Sequence, residues 1–428
     1  MANTYINRNF PSSGNRTTWT LSMWVKRSLI SSDQMLAHAY NGANDYTKIR
    51  FEADDILNFE NYTGGTRDIA KRTNRKFRDT NGFYHFLFVN APSAQTIYVN
   101  GVEETSWRTN TTGNVSTWWN HNISNTMFAS VNGGSLYFSG IASHVHFCDG
   151  TALAPTVFGE TDATTGEWKI KTSPTFTLGT NGFTILKDGN TITDQSSNSN
   201  DYTLGGGTIT KTEDCPSNVF ATFQPLDLQA STQTFAEGNL KVTTDSSGWD
   251  TIASTIGGTS GKWYFEAKLI TLGNYAIIGV IDINDANLNT TSSYYIGAST
   301  PDNGYQNNGA RPDTGGGFGA SYTANDIIGI AIDMDNLKVY FSKNGTFQNS
   351  GNPTSGATGT GAQDLTASTT YCFAISGHGS TVWEANFGNG YFGTTAVSSA
   401  GTNVSGIGIF EYDVPTGYTA LSTKGLNL

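Results

Sequence analysis

A run of alternating histidine and cysteine residues carries the side chains best suited, by type, to bind a metal. His144, His146 and Cys148 alternate along a predicted strand, so their side chains would point the same way. Imidazole nitrogen and thiolate sulfur are ligands that zinc prefers. The pattern lacks a fourth ligand and a carboxylate that would orient the histidines. A sandwich face with two polar residues and a buried thiol is the simpler interpretation, and His144 and His146 stay as metal candidates.

The pair Trp118-Trp119 could serve carbohydrate binding instead. An exposed indole can stack on the apolar C–H face of a sugar ring, whereas a buried one fills a core. We expect one of the two rings to lie in the core. The other is left open as a ligand contact.

Charge and motif content argue against several function classes. The net charge of −11 disfavours general nucleic-acid binding, which requires a basic surface. The one basic run, residues 67–78, indicates the solvated face of a strand pair, with an anionic docking surface as the alternative. The sequence contains no Gly-x-Ser-x-Gly elbow, no Walker-type loop and no apolar stretch of about 18 residues. Residues 1–10 lack the apolar core of a signal peptide, so we expect no export signal there.

Short strands must position these residues, because no segment has a convincing helical pattern. In the segment 17–25, Trp19, Leu21, Met23 and Val25 fall on one face of a strand. The segment 83–89 is apolar on both faces, as expected of a central strand covered on each side.

Two Asn-Gly pairs, Asn100-Gly101 and Asn344-Gly345, predict tight hairpins, because both residues tolerate positive φ. Each pair lies late in a segment that is predicted to form short strands and that has the length of a domain. We therefore predict an all-β chain of two tandem antiparallel β-sandwiches, at residues 1–155 and 226–410. A β-rich connector at 156–225 would join them, and 411–428 would form a C-terminal tail. Cys148, Cys215 and Cys372 are odd in number and scattered, which indicates free thiols.

Three segments of the second half resemble the SPRY domain. They are Gly261-Lys262-Trp263-Tyr264-Phe265-Glu266, residues 326–333, and Phe341-Ser342-Lys343-Asn344-Gly345. The first half resembles the laminin-G-type, concanavalin A-like lectin/glucanase fold, through residues 19–27, 98–101 and 138–142. The resemblances imply concanavalin A-like jelly rolls in both halves.

The combination resembles the lectin-like plus SPRY proteins of tailed phages, especially marine and cyanobacterial ones. The segments that carry it are residues 13–16, 158–162, 194–201 and 214–222. The resemblance implies a non-enzymatic virion structural protein, such as a tail-fibre or other appendage component. Its implied partners are host surface carbohydrate and other virion proteins, and it implies self-association, with trimers favoured for a fibre-like appendage. A capsid-decorating or head-fibre protein with a purely assembly role is the alternative.

The carboxylates of residues 52–60 bear on a third hypothesis, a glycan-active enzyme. Laminarinase-type members of the lectin/glucanase fold carry Glu-x-Asp-x-x-Glu on one strand, since glycoside hydrolysis needs two carboxylates at a fixed separation. Glu52, Asp54 and Asp55 approach this pattern, but the next carboxylate is Glu60, which is misplaced. We therefore expect no hydrolase activity.

Two further features rest on the resemblances. Laminin-G-like domains often hold calcium at a rim, which makes Asp282 and Asp285 candidate ligands, although turn formation is the simpler interpretation. We expect no cofactor, and calcium is the one candidate. SPRY domains usually bind through loops at a sandwich rim. That makes Tyr305, Arg311 and Phe318, in and beside the Gly-rich loop, the predicted ligand contacts.

Overall fold

The computed structural model consists of two compact units, Met1–Lys211 and Thr212–Leu428. It describes residues 3–92, 94–113, 115–130, 134–187, 189, 191–226, 233–285, 288 and 294–427. Both units are built from antiparallel sheets, and the described residues include no α-helix, only short 3₁₀ turns such as Pro155–Val157, Glu237–Asn239, Gly356–Thr358 and Gly425–Asn427. The predicted all-β fold class is confirmed. Within the described part of the chain, no helix has the length and hydropathy needed to cross a membrane.

Unit 1 contains an eight-stranded and a six-stranded sheet. The eight-stranded sheet has the order β10-β6-β5-β4-β3-β11-β1-β16, and the six-stranded sheet β15-β12-β2-β7-β8-β9. The strands are β1 Tyr5–Asn9, β2 Trp19–Arg27, β3 Gln34–Gly42, β4 Asp45–Phe51, β5 Ile56–Thr63, β6 Thr66–Lys76, β7 Tyr84–Ala91, β8 Ala94–Val99, β9 Val102–Glu103, β10 Trp107–Thr111, β11 Ser124–Met127, β12 Gly140–Asp149, β13 Gly159–Thr161, β14 Trp168–Ile170, β15 Phe183–Ile185 and β16 Thr203–Gly206. β13 and β14 pair separately as a hairpin.

The core of unit 1 lies between its two sheets, where the period-2 pattern of the strands places it. Trp19, Leu21, Met23 and Val25 of β2 are fully buried there, as predicted. They pack with aromatic residues of both sheets, such as Phe59.

A second apolar layer covers the outer face of the six-stranded sheet. Leu87 and Val89 of β7 pack against Phe158, which lies in the segment after β12. The Trp168 indole stacks on His85 and donates a hydrogen bond to its Nδ1 at 3.1 Å. This layer explains why the segment 83–89 is apolar on both faces.

The boundaries in the structure differ from the predicted ones. The predicted connector, 156–225, divides at residue 211 between the two units, because its first part covers the six-stranded sheet and supplies β15 and β16. The predicted tail, 411–428, packs onto unit 2. Both segments have a loop-like composition. Their apolar residues, which cover a sheet face, could therefore not be recognised as part of the fold from the sequence.

A buried ion pair joins the end of β2 to the turn after β4. Arg27 and Asp55 have fully buried side chains, and Arg27 Nη2 lies 3.2 Å from Asp55 Oδ1. Asp55 also accepts hydrogen bonds from Ser31 N–H at 2.7 Å and from Arg78 at 2.9 Å. Its two oxygens thus hold three separate segments together.

We predict that Asp55→Asn destabilises unit 1 by about 3–5 kcal/mol, because it leaves the buried Arg27 cation uncompensated. Urea unfolding of the full chain, with amide exchange followed in β2, measures the loss. The neighbouring Asp54→Asn is the control, since the exposed Asp54–Arg108 pair contributes at most about 1 kcal/mol. Equal losses in the two variants would contradict the role of Asp55.

Unit 2 contains a nine-stranded and a four-stranded sheet. The nine-stranded sheet runs β17-β18-β28-β20-β23-β24-β25, with β26 paired to β24 and β31 to β20, and the four-stranded sheet runs β19-β27-β21-β22. The strands are β17 Thr234–Ala236, β18 Lys241–Thr243, β19 Trp249–Gly258, β20 Lys262–Thr271, β21 Tyr275–Asp282, β22 Asn303–Gln306, β23 Ile327–Asp333, β24 Lys338–Lys343, β25 Thr346–Phe347, β26 Gln363–Asp364, β27 Tyr371–His378, β28 Val382–Asn386, β29 Tyr391–Phe392, β30 Thr395–Ala396 and β31 Thr419–Ala420. β29 and β30 form a separate pair.

The segment 407–421 covers the outer face of the nine-stranded sheet. Its apolar residues, including Phe410 and Tyr418, pack on Tyr264 and Tyr340. The fully buried Glu266 carboxylate accepts hydrogen bonds from the backbone N–H groups of Glu411 and Tyr412, both at 2.9 Å. Burial raises the pKa of Glu266 to about 7, and these hydrogen bonds oppose the rise.

We predict that unit 2 loses stability as the pH rises from about 4.5 to about 7. The folded pKa of Glu266 lies above its ordinary value of 4.5. Between pH 4.5 and about pH 7 the folded state therefore binds more protons than the unfolded state. The slope is at most about 1.4 kcal/mol per pH unit. Intrinsic-rate-corrected amide exchange of residues 407–421 at pH 5.5 and pH 8 measures it. Glu266→Gln should remove the difference and the half-buried Glu237→Gln should keep it; an unchanged difference in Glu266→Gln would refute the assignment.

The two predicted Asn-Gly hairpins are present. Asn100 and Gly101 have φ of 49° and 79°, and Asn344 and Gly345 have φ of 48° and 80°. In each hairpin the two turn residues connect strand ends that pair directly. Val99 pairs with Val102, and Lys343 pairs with Thr346. Positive φ at both turn positions matches the right-handed twist of the flanking strands.

Candidate functional site

The outward side of the eight-stranded sheet in unit 1 carries polar and aromatic side chains, some of which, such as His38, Asn58 and Glu60, are themselves buried. On β4 the inward residues Thr47, Ile49 and Phe51 are buried. The outward residues are Tyr46, Lys48 and Arg50. Antiparallel register sets residues of β3, β5 and β6 beside them. We call this surface the polar face; its residues are His38, Tyr40, Tyr46, Lys48, Arg50, Glu52, Asn58, Glu60, Tyr62 and Arg72.

Three tyrosines form a row across one end of the polar face. Tyr40 pairs with Tyr46, which pairs with Tyr62 on the next strand. The rings of Tyr46 and Tyr62 stack with centroids 4.7 Å apart, and Lys48 Nζ lies 4.0 Å from the Tyr46 ring centroid. Tyr40 is 43 % exposed. The row therefore presents aromatic surface that is fixed by strand pairing.

A charged network occupies the other end of the polar face. Glu52 binds Arg72 in a bidentate ion pair and also accepts from Arg50 at 3.3 Å. The Asn58 amide donates to Glu52 at 2.8 Å and to Glu60 at 3.2 Å. Among the described residues, Asn58 Oδ1 and Arg50 Nε have no hydrogen-bond partner. The network thus retains an acceptor and a donor that are not satisfied internally.

His38 lies in the middle of the polar face, next to Lys48 on β4. Burial, together with the neighbouring cations Lys48 and Arg50, lowers the pKa of His38 to about 3. The imidazole is therefore neutral at physiological pH. Burial also lowers the pKa of Lys48, although Glu60 opposes that change.

A groove of about 410 Å³ lies at the opposite edge of the same sheet. Its lining residues are Asn7, Arg8, Asn9, Ser124, Asp201 and Thr203. Arg8 donates to the side chain of Asn200 at 2.7 Å. The other lining side chains are short. The groove therefore offers mainly hydroxyl and amide groups, in contrast to the charged and aromatic groups of the polar face.

The two tryptophans divide as expected. Trp119 is buried in the core of unit 1. Trp118 is half-buried and donates from its indole to the Tyr62 carbonyl at 2.8 Å, while the Arg16 guanidinium lies 4.7 Å from its ring. Trp118 packs against the core of unit 1 and contacts the Tyr62 backbone, whereas Trp119 has no surface with which to contact a ligand.

Burial contradicts two of the three predicted rim contacts of unit 2, and the third, Arg311, is partly exposed and stays a prediction. Tyr305 is fully buried and Phe318 is 7 % exposed, because both rings pack inward on Phe341. The Tyr305 hydroxyl donates to the Ala320 carbonyl. Arg311 binds Asp313 through Nε at 3.1 Å and Nη2 at 2.6 Å. The Gly-rich loop folds back so that its aromatic residues complete the core.

The metal candidates of β12 are hydrogen-bonded to other groups. His144 has φ of 48° at an irregularity of β12, where the alternation of side chains breaks. His146 Nδ1 contacts Thr184 Oγ1 at 3.0 Å, and Cys148 donates to the Thr177 carbonyl at 2.8 Å. Burial lowers the pKa of His146 to about 3. In the described part of the chain, no three His, Cys, Asp or Glu side chains are grouped to hold a metal.

The calcium candidates of unit 2 serve local structure. Asp282 accepts the Asn284 N–H at 3.0 Å, as a turn-forming aspartate does. Asp285 accepts hydrogen bonds from Ser299 at 2.6 Å and Tyr294 at 3.1 Å. The contact of Asp282 agrees with the turn interpretation, whereas Asp285 bonds side-chain hydroxyls 14 and 9 residues away.

The polar face was missed in the sequence, although a signal was present. Tyr46, Lys48 and Arg50 alternate with core residues along β4, and Asn58, Glu60 and Tyr62 do so along β5. Polar and aromatic residues at period 2 indicate the outward side of a half-buried sheet. Which sheet stays uncovered depends on distant segments, however, and that information is not local.

We predict that Tyr305→Phe lowers the stability of unit 2 by about 1 kcal/mol, through loss of one buried hydrogen bond, and changes no ligand affinity. Urea unfolding and ligand titration of the full chain test both statements. Tyr391→Phe, at a half-buried tyrosine of the same unit, is the control. Loss of affinity at unchanged stability would restore Tyr305 as a contact residue.

Comparison with known proteins supports the resemblance of the first half. Residues 2–157 match the family model described as the concanavalin A-like lectin/glucanases superfamily, Laminin_G_3. No curated protein matches the chain. The fold of unit 1 is therefore lectin/glucanase-like, a fold compatible with carbohydrate or protein binding.

Three solved structures are similar to parts of the chain. The SPRY domain of human HERC1 is 16 % identical over 38 % of this chain and 96 % of its own, with a TM-score of 0.30. Domain 4 of AbnA, a GH43 extracellular arabinanase from Geobacillus stearothermophilus solved in complex with arabinotriose, is 19 % identical over 35 % and 66 %, with a TM-score of 0.28. A heptameric SAP-like pentraxin from Limulus polyphemus is 14 % identical over 35 % and 71 %, with a TM-score of 0.27. These TM-scores are too low to bear on function, and a SPRY-like domain at residues 226–410 stays a prediction.

Proposed function

We propose that this protein is a non-enzymatic carbohydrate-binding protein whose polar face in unit 1 contacts the sugar. The observation that carries the proposal is the tyrosine row Tyr40–Tyr46–Tyr62 beside a network of charged and amide side chains. Sugar rings present apolar C–H faces and hydroxyl edges together. A surface that offers aromatic rings next to charged hydrogen-bonding groups complements both.

Rigid presentation supports this function. Each tyrosine of the row lies on a different strand of one sheet, and the strands fix their spacing before any ligand arrives. Binding then needs little ordering of the protein, so less of the interaction energy is lost to entropy. The balance of cations and carboxylates on the polar face suits a neutral or weakly charged glycan.

The arrangement of carboxylates supports binding without hydrolysis. Glu52 has both oxygens engaged by Arg72, so it is not available to attack or protonate a glycosidic bond. Asp54 binds Arg108, and Asp55 is buried with Arg27. Glu60 alone does not supply the pair of free carboxylates that glycoside hydrolysis uses.

We further propose that the protein is a phage virion component, in a tail fibre or other appendage, that binds host surface glycan. The resemblance of residues 13–16, 158–162, 194–201 and 214–222 to lectin-like plus SPRY phage proteins supports this placement. Self-association into a trimer is part of the proposal. A capsid-decorating role, in which the chain contacts only other virion proteins, is the competing function.

We predict that the full chain binds surface polysaccharide extracted from the bacterial host, and that Tyr40→Ala and Tyr62→Ala each weaken it roughly tenfold by removing a stacked ring. Biolayer interferometry with immobilised polysaccharide measures the affinity. Tyr40→Phe should bind within a few-fold of wild type, since it keeps the ring. Val102→Ala, at an exposed site on the other sheet, should have no effect.

Three outcomes would contradict the proposal. Wild-type affinity in both alanine variants would exclude the polar face as the binding surface. Binding to purified phage capsids but not to polysaccharide would establish the assembly role. Release of new reducing ends during incubation would show that the protein is an enzyme.

A further inference from the structure

An aromatic stack lies on the outward side of the four-stranded sheet in unit 2. The Trp249 ring packs with Tyr275, at a centroid distance of 5.5 Å and an interplanar angle of 16°, and with Tyr295, at 4.8 Å and 31°. The edge of His378 meets both Trp249 and Tyr275. We call these four residues the aromatic ladder.

Strand register builds the aromatic ladder. His378 of β27 pairs directly with Trp249 of β19 and with Tyr275 of β21. On these strands, the neighbours at period 2, such as Ala253 and Ile277, belong to the outer apolar cluster and not to the main core. The ladder is therefore a surface feature at one end of the sheet, held by three adjacent strands.

Tyr275 is the open end of the aromatic ladder. It is 46 % exposed and is not part of the buried clusters of unit 2, whereas Trp249 and Tyr295 are half-buried against one of them. One face of its ring packs on Trp249. A single half-exposed tyrosine backed by two rings is far smaller than the roughly 800 Å² per partner that a stable protein interface needs. The patch fits a ligand of the size of one sugar ring.

The surroundings of the ladder determine the chemistry of that ligand. The strand ends and loops beside it, residues 245–251, 272–277 and 374–381, contain no lysine or arginine. They contain Asn274, whose amide contacts His378 Nδ1 at 3.1 Å, and a turn whose Asp245 carbonyl accepts the Ser380 N–H at 2.9 Å. Short amides, hydroxyls and a carboxylate suit a neutral polyhydroxylated ligand and disfavour an anionic one.

We propose that the aromatic ladder is a second carbohydrate site, which takes a neutral sugar ring on the exposed face of Tyr275. This site goes beyond the function proposed for unit 1, because it lies in the other unit and uses other residues. Two sites in one chain increase the apparent affinity for a polymer that engages both.

The test is ¹⁹F NMR of the full chain labelled with 5-fluorotryptophan, with the Trp249 signal among the nine assigned through Trp249→Phe. The probes are neutral hexasaccharides of glucose, mannose and xylose, and one sulfated oligosaccharide. We expect a neutral probe to shift the Trp249 resonance in a saturable way. Tyr275→Ala should weaken binding roughly tenfold, and Tyr275→Phe should stay within threefold.

Tyr40→Ala is the matched control, because Tyr40 and Tyr275 are exposed by 43 % and 46 % and lie in different units. Tyr40→Ala should leave the Trp249 titration unchanged. Tyr275→Ala should leave polysaccharide binding by the polar face unchanged. A Trp249 signal that no neutral probe shifts at millimolar concentration would overturn the proposal. So would equal titrations of wild type and Tyr275→Ala, or a shift with the sulfated probe alone. None of these results bears on Tyr40 and the polar face.

Discussion

The side chain of the hairpin asparagine fixes strand register in one sheet of each unit, and the packing of both cores depends on that register. Asn100 accepts the His85 N–H through its side chain at 2.8 Å and donates its own N–H to the His85 carbonyl at 2.9 Å. Asn344 makes the same pair of bonds with Ile327, both at 2.8 Å. A slip by one residue would exchange the buried and outward side chains of a strand. The same device thus protects the pairing of β7 with β8 in the six-stranded sheet and of β23 with β24 in the nine-stranded sheet.

Local pattern was sufficient to predict the strands but not their coverings. The alternation of residues 19–25 and the two Asn-Gly turns depend on backbone geometry and period-2 burial, and both can be seen in a short window of sequence. Tyr305 and Phe318 lie in and beside a Gly-rich loop, where sequence does not show whether a ring points to solvent or to the core. Backbone hydrogen bonds close the loop, such as the one from Phe318 N–H to the Gly309 carbonyl at 2.8 Å, and the rings pack inward. That outcome depends on three-dimensional packing.

The contrast between covered and uncovered sheet faces organises each unit. The six-stranded sheet of unit 1 and the nine-stranded sheet of unit 2 carry apolar outer layers made from irregular segments, around Phe158 and Phe410. In unit 2 the layer also depends on a buried carboxylate, Glu266, whose backbone hydrogen bonds offset part of its desolvation. The eight-stranded sheet instead carries the polar face. On the polar face, exposed side chains such as Tyr40 are the ones that a ligand can contact.

The strands and segments that meet at the ends of each unit have a consequence for how the chain reaches its fold. In unit 1, Thr4 bonds to Thr208, and in unit 2, Val219 bonds to Thr423; each pair spans 204 residues. Contacts of such separation raise the contact order, and folding rates fall as contact order rises. During synthesis, β1 must wait for β16 to emerge before it gains its second neighbour. Until then its unpaired edge is open to association with other chains, so each unit benefits from rapid completion and from chaperones that shield strand edges.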